Sequence, residues 1–394
     1  MQLATATALR KKWPNSRIII SAPFPHYDAR LYKDFELIKS NRRRLIYSTL
    51  ALVTAHVYSS ISKLGINPKL LLWNQEMRTF KEADIVIDLS GDTITEDYGP
   101  HVTYSHLLPL LLAHALKTPV YICAQSMGPF KLTRWLVGHT LRKCAGVTAR
   151  EKVTFDYLKS ISVPSKILNL ESDMAFLLKP APGERVAEIL RLENINFSTP
   201  TLGVTVSGII RNRFNSQSPE SFDSFFARFI DHAIKKYNLD IVFIGHVTGP
   251  SEDKDDRLVA QRIHEHIEQK DRVSILRGNY SPSELKGVIS RCDLFLGARM
   301  HSNIGAISTH VPTIAMSYSH KTIGIMGSVG MEDYVFSGDK LNEDELINVL
   351  GKAKKNSKKI RGHLSETIPN IQASSRQNIK NIERVINQET TDAS

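Results

Sequence analysis

Apolar positions along this chain gather in short unbroken runs. In the first half they fall at 17–21, 84–90, 119–125 and 146–149. In the second half they fall at 201–207, 240–245, 273–276, 293–297 and 312–316. The runs are rich in Val, Ile and Leu and do not alternate with polar residues. That pattern predicts parallel strands covered on both faces. Helical spacing follows most of the runs, as over 221–237 and 283–290, and supplies the crossovers of an α/β fold. From about 342 the pattern reads as helical to about 388, with a break expected near Pro369.

Pro180, Pro182 and Pro200 punctuate the stretch between 178 and 201, which a helix over 183–192 bridges. The expected organisation is therefore two Rossmann-like domains with parallel sheets, 1–180 and 200–340, and a helical tail over 341–394. A chain of 394 residues exceeds one ordinary core, in keeping with two domains. With 42% hydrophobic and 23% charged residues, the composition excludes a disordered chain.

Cys123, Cys144 and Cys292 lie far apart with no CxxC spacing, which makes neither a zinc site nor a disulfide framework. A reducing, cytoplasmic setting is expected. Arg10, Lys11 and Lys12 follow the first apolar stretch instead of preceding it, unlike a signal peptide. The longest apolar run, 107–116, is interrupted by Pro109 and His114 and falls short of the roughly 20 residues a membrane span takes. No transmembrane segment is expected. The formal net charge of +11 fits a solvated basic surface, an acidic substrate or an anionic membrane surface. No zinc-finger spacing and no RRM-type aromatic signature points to nucleic acid.

The candidate chemistry sits where the apolar runs end, because open α/β sheets bind ligands at the carboxyl ends of strands and at helix N-termini. Arg299 and His301 follow the 293–297 run; a guanidinium and an imidazole there can hold an anion and handle a proton. Asp92 follows Gly91 after the 84–90 run. It can orient a sugar hydroxyl or act as a base, or simply cap the next helix. The neighbouring carboxylates Asp88, Glu96 and Asp97 match no EF-hand spacing, so no metal is expected. Gln125 and Ser126 offer neutral hydrogen bonds beside a Gly128-Pro129 turn. Ser207 and Gly208 precede Arg211 and Arg213, either an anion cradle or a loop with exposed arginines. Gly245 and His246 end another run, and Asp253, Asp255 and Asp256 read as first-turn acids of the helix beyond. Lys321, after the 312–316 run, can serve as a point charge for a phosphate.

Taken in order, these strand ends resemble the polysaccharide pyruvyl transferase family. The resemblance runs from about residue 1 to about residue 340. It rests on Asp88-Leu89-Ser90-Gly91-Asp92, Gln125-Ser126-Met127-Gly128-Pro129, Thr148-Ala149-Arg150-Glu151, Ser172-Asp173, Arg299-Met300-His301-Ser302 and His320-Lys321. It implies a GT-B-like fold with two Rossmann-like domains and a cleft between them. It also implies transfer of the enolpyruvyl unit of phosphoenolpyruvate onto two hydroxyls of a sugar or glycan acceptor, giving a pyruvate ketal and phosphate, with no cofactor beyond that donor. A lipid-linked acceptor would add peripheral membrane contact.

On this resemblance Arg299 and His301 contact the donor, joined by Arg211 or Arg213. Arg150, His320 and Lys321 lie near the cleft, and Asp92, Gln125 and Ser126 face the acceptor. His301 is the candidate general acid, since imidazole titrates near neutral pH, and Asp92 the candidate base. Alternatives are a GT-B glycosyltransferase using a nucleotide sugar and an inactive sugar-binding homologue. One departure stands out. The family usually begins with a strand and a Gly-rich loop, whereas this chain opens on residues that read as the helix after that loop. Either the start codon is misplaced, or the protein lacks that part of its first-domain site.

Overall fold

The unbroken apolar runs form parallel strands, and every strand pairing among the described residues is parallel. The computed structural model describes residues 1–42, 44–249, 255–317, 320–338 and 341–392, with side chains at all of these except 320 and 389–392. The chain divides into two units. Unit 1 is Met1–Leu177 together with the chain end from Ala373, and unit 2 is Leu178–Gln372.

Unit 1 holds β1 (Ile19–Ala22) and β2 (Glu36–Lys39) as a two-stranded sheet. Its second sheet is β3 (Val86–Asp88), β4 (Val120–Gln125), β5 (Gly146–Ala149) and β6 (Leu168–Leu170), side by side in that order. β4 is buried along its whole length. Successive side chains on a strand point to opposite faces, so β4 feeds two cores. Val120 and Ile122 pack with Leu107, Leu110, Val137 and Val147. Tyr121 and Cys123 pack with Ile379, Ile382 and Val385 of the last helix, and with Leu9 and Trp13 at the start of the chain.

Unit 2 holds β7 (Thr201–Thr205), β8 (Asp240–Ile244), β9 (Val273–Leu276), β10 (Leu294–Gly297), β11 (Thr313–Ser317) and β12 (Val335–Ser337). The sheet order is β12-β11-β10-β7-β8-β9. From the β7–β10 pair the chain winds outward in both directions, so the order reverses there.

The helix Gly183–Leu192 forms over the residues expected, but the division precedes it. Val186 and Ile189 pack on Leu285 and Val288, which places the helix in unit 2. The tail is not a separate segment. Its two helices, Glu343–Lys355 and Ser357–Asp392, break at Asn356, while Pro369 lies inside the second. Proline removes one helical N–H, a loss that packing along a long helix can absorb. Leu346, Ile347 and Leu350 are buried in the first of these helices. The second gives its last turns, from Ala373, to unit 1.

Candidate active site

In unit 2 the sheet order reverses between β7 and β10, the place where an open α/β sheet leaves a crevice beyond its carboxyl ends. Ala298 N–H donates to Thr205 O at 2.9 Å and ties the two strand ends together. The turn after β10 is fixed by Gly297, where any Cβ would collide with the Asn303 carboxamide oxygen. Asn303 Nδ2 in turn donates to Gly297 O at 3.2 Å. The chain then enters the helix Met300–Ile307, with Arg299 as its N-cap residue. Arg299 and His301 therefore sit half-buried at a helix N-terminus, at the switch point of the sheet.

Arg299 is held by a carboxylate that the sequence pattern reads only as a helix-start acid. Its Nη2 donates to Asp256 Oδ1 at 2.6 Å and its Nε to Oδ2 at 3.2 Å. Asp256 Oδ2 also accepts the N–H groups of His246 and Val247, at 3.2 and 2.9 Å. The Asp256 side chain is fully buried, while Arg299 keeps 17% of its side chain exposed. Burial pushes the Asp256 carboxyl up in pKa, and the Arg299 contact and the backbone N–H groups offset this only in part. His246 is half-buried, with its Nδ1 out of reach of solvent. Burial first, then the charges of His301 and Arg299, push its imidazole down to about 3. The group around the switch point is thus a fixed guanidinium and two half-buried imidazoles, His246 held neutral and His301 beside it. Such a set can seat a carboxylate or phosphate.

The other expected cations of unit 2 are arranged differently. Ser207 caps the helix Gly208–Gln217 by accepting the Ile209 N–H at 3.2 Å. Arg211 lies on that helix with Nε and Nη2 both on Asp223, the shortest bond 2.7 Å. Arg213 is two positions on, roughly 200° around the helix. Of the two readings, an anion cradle or a loop with exposed arginines, the structure shows a helix instead of a loop, on which Asp223 takes Arg211 and helical geometry turns Arg213 to another face. Lys321 is buried in the first turn of the helix His320–Ser328. The side chain of His320, and Asp253 altogether, lie outside the described residues.

In unit 1 the motif residues line consecutive strand ends. Gln125 Nε2, at the end of β4, donates to Asp88 O at 2.9 Å and to Asp88 Oδ2 at 2.8 Å, at the end of β3. Ser126 Oγ accepts from Arg150 Nε at 2.8 Å, and Arg150 Nη1 donates to Asp173 Oδ2 at 2.8 Å. Gln125, Ser126 and Arg150 were expected near the acceptor or the cleft. All three are buried, with partners inside the protein. They brace the strand ends and do not present their polar groups to solvent. Two of their buried atoms, Gln125 Oε1 and Arg150 Nη2, make no hydrogen bond among the described residues.

Asp92 is half-exposed and accepts from the Tyr98 hydroxyl at 3.2 Å. Gly91 before it has φ +77°, the left-handed region that glycine enters without strain. Beside this turn is a histidine the sequence pattern passes over. His106 Nδ1 lies 3.0 Å from Thr93 Oγ1, 3.1 Å from Ser90 Oγ and 3.4 Å from Arg42 Nη1. Ser90 itself donates to Asp88 Oδ1 at 2.6 Å, and burial pushes the Asp88 carboxyl up. No group of three or more His, Cys, Asp or Glu among the described residues is placed to hold a metal ion.

A family model described as polysaccharide pyruvyl transferase matches residues 3–320. The amylovoran biosynthesis protein AmsJ of Erwinia amylovora is 25% identical over 325 residues, covering 80% of this chain and 75% of that protein. Among solved structures, the UDP-GlcNAc 2-epimerase of Neisseria meningitidis bound to UDP-GlcNAc superposes with a TM-score of 0.58 at 14% identity, covering 97% and 96% of the two chains. A glycosyltransferase from Rickettsia africae gives a TM-score of 0.58 at 12% identity, covering 98% and 94%. These likenesses place the fold in the GT-B-like class, with parallel sheets and a helical C-terminal region.

Proposed function

The chain belongs to the polysaccharide pyruvyl transferase family, and we propose that it moves the enolpyruvyl unit of phosphoenolpyruvate onto two hydroxyls of a sugar. The product is a pyruvate ketal, and phosphate leaves. The observation that carries this reading is the pairing of Arg299 with His301 at the switch point of unit 2, with Arg299 locked by Asp256. Phosphoenolpyruvate carries a carboxylate and a phosphate on one carbon. It needs a fixed cation for the charge and an acid for the adjacent methylene.

In the proposed reaction Arg299 takes an anionic group of the donor, with Arg213, His320 and Lys321 as further donor-side candidates. His301 delivers a proton to the methylene carbon, which becomes the ketal methyl group. Positive charge develops at the neighbouring carbon, where the first sugar hydroxyl adds and gives up its proton. The second hydroxyl then replaces phosphate at the same carbon and loses its proton to a base. Asp92, with its carboxylate half-exposed, is the candidate for that base. His246 stays neutral beside the donor, so it supports the site without competing for the proton. The donor is a substrate, and no separate cofactor enters the proposal. A cytoplasmic setting belongs to it too, supported by three buried free thiols that fit a reducing compartment.

Phosphate release from phosphoenolpyruvate, measured against a panel of sugar acceptors, tests the reading. Melting curves separate it from nucleotide-sugar transfer. Phosphoenolpyruvate at about 100 times its dissociation constant adds about 2.7 kcal/mol of stability. Stabilisation by a uridine diphosphate sugar, with none by phosphoenolpyruvate, overturns it.

A further inference from the structure

The helix Leu45–Ser62 of unit 1 has two unlike faces. Ser48, Ala51, Ala55 and Tyr58 are buried in its own unit. Ile46, Leu50, Val53 and Val57 are 45 to 88% exposed. Their spacing of four, three and four residues puts them in one stripe along the helix. Leu64, Ile66 and Leu70 just beyond the helix are exposed as well. Single exposed apolar residues are ordinary on a protein surface; a contiguous set marks an interaction site.

The charge of the segment says what the stripe meets. Between Glu36 and Glu76 the sequence has no Asp or Glu, while it carries Lys39, Arg42, Arg43, Arg44, Lys63 and Lys69. Arg44 precedes the helix, Lys63 and Lys69 follow it, and all three are exposed. An apolar stripe bracketed by cations is the pattern of a helix lying in a lipid interface.

We propose that this face docks on a bilayer surface bearing anionic headgroups, with the stripe at the acyl boundary and the cations among the headgroups. By length and composition alone the helix could cross a membrane. Its other face is part of the unit 1 core, with Ala55 wholly buried, so the helix lies on the membrane and does not span it. A second copy of the chain fits poorly. An isologous contact here sets cations against cations, with no carboxylate in the segment to pair with them. The inference is independent of the donor chemistry.

The test is co-sedimentation of the whole chain with vesicles of phosphatidylcholine alone and of phosphatidylcholine with about one third phosphatidylglycerol. The chain should bind the anionic vesicles and be released by salt. Leu50→Ser with Val53→Ser should lower partition at least about tenfold, through lost apolar burial. Arg44→Glu with Lys63→Glu should remove the preference for anionic vesicles. All four positions are exposed, and unchanged melting curves verify the fold. Failure to bind vesicles, or equal binding to both kinds, overturns the proposal. So does self-association in solution that the same serine substitutions abolish, which would assign the face to a second copy.

Discussion

Arg299 and Asp256, 43 residues apart, form a two-bond ion pair that ties the end of β10 to the start of the helix Asp256–His266. The carboxylate has no exposure, so it owes its charge to the guanidinium and to two backbone N–H groups. Removing the arginine therefore does two things: it takes a cation from the switch point and leaves a buried carboxyl without its counter-ion. Arg299→Ala should weaken phosphoenolpyruvate binding about ten- to a hundredfold, the usual worth of a charge-assisted contact. Donor titration followed by melting checks this. Unchanged affinity in a folded Arg299→Ala protein removes the arginine from the donor site.

Asp256→Asn isolates the support from the contact. It leaves Arg299 in place but breaks a buried pair, at a cost of about 3 kcal/mol. Denaturant unfolding measures the loss. Donor affinity should fall as well, because the guanidinium is no longer aimed.

His301→Gln should keep donor binding and lower turnover by about two to four orders of magnitude, the share of a general acid. Glutamine can hydrogen-bond but cannot deliver the proton. Single-turnover ketal formation at saturating donor is the measurement, and near-normal turnover rejects the role.

His246 gives a pH signature of stability. Its imidazole sits at about 3 when folded, against 6.5 for the ordinary group. Between those values the unfolded chain holds more protons than the folded one, so stability falls as pH drops from 6.5 toward 3. The slope is on the order of 1 kcal/mol per pH unit for one group. His246→Gln should flatten the curve over this window by about that amount. An unaltered slope would show that His246 is solvated in the native protein.

Arg150 and Asp173 separate a structural role from a substrate role. Both side chains are fully buried. Arg150→Met should destabilise the protein by about 3–5 kcal/mol, the cost of breaking a buried ion pair from one side. Had Arg150 been a substrate contact, the same change would raise KM and leave unfolding midpoints alone.

The central strands were legible in the sequence because they are buried on both faces and hence continuously apolar. The strands it did not show are β2, β6 and β12, each at the edge of its sheet and three or four residues long. Leu168–Leu170 carries Asn169 in the middle and has a partly exposed end, so it lacks the apolar run that betrays an interior strand. The polar strand ends were legible as places but not as roles. Gln125, Ser126 and Arg150 stand at the positions where a ligand contact would stand. Only their partners, Asp88 and Asp173, show that they join one strand to the next. His106 was hidden by its setting, one of three histidines in the helix Pro100–Ala115, away from any strand end or glycine turn that would single it out.

The last helix gives the order of synthesis a consequence. Ile379, Ile382 and Val385 complete the second face of the β3–β6 sheet. Ser374, Ser375 and Asn378 bond to the 171–173 loop that holds Asp173. A nascent chain emerges from its N-terminus and folds domain by domain. Here the first unit to emerge must wait, one sheet face open, while all of unit 2 is translated. A chain released before residue 373 would have a finished second unit behind an unfinished first one, a species for chaperones to hold.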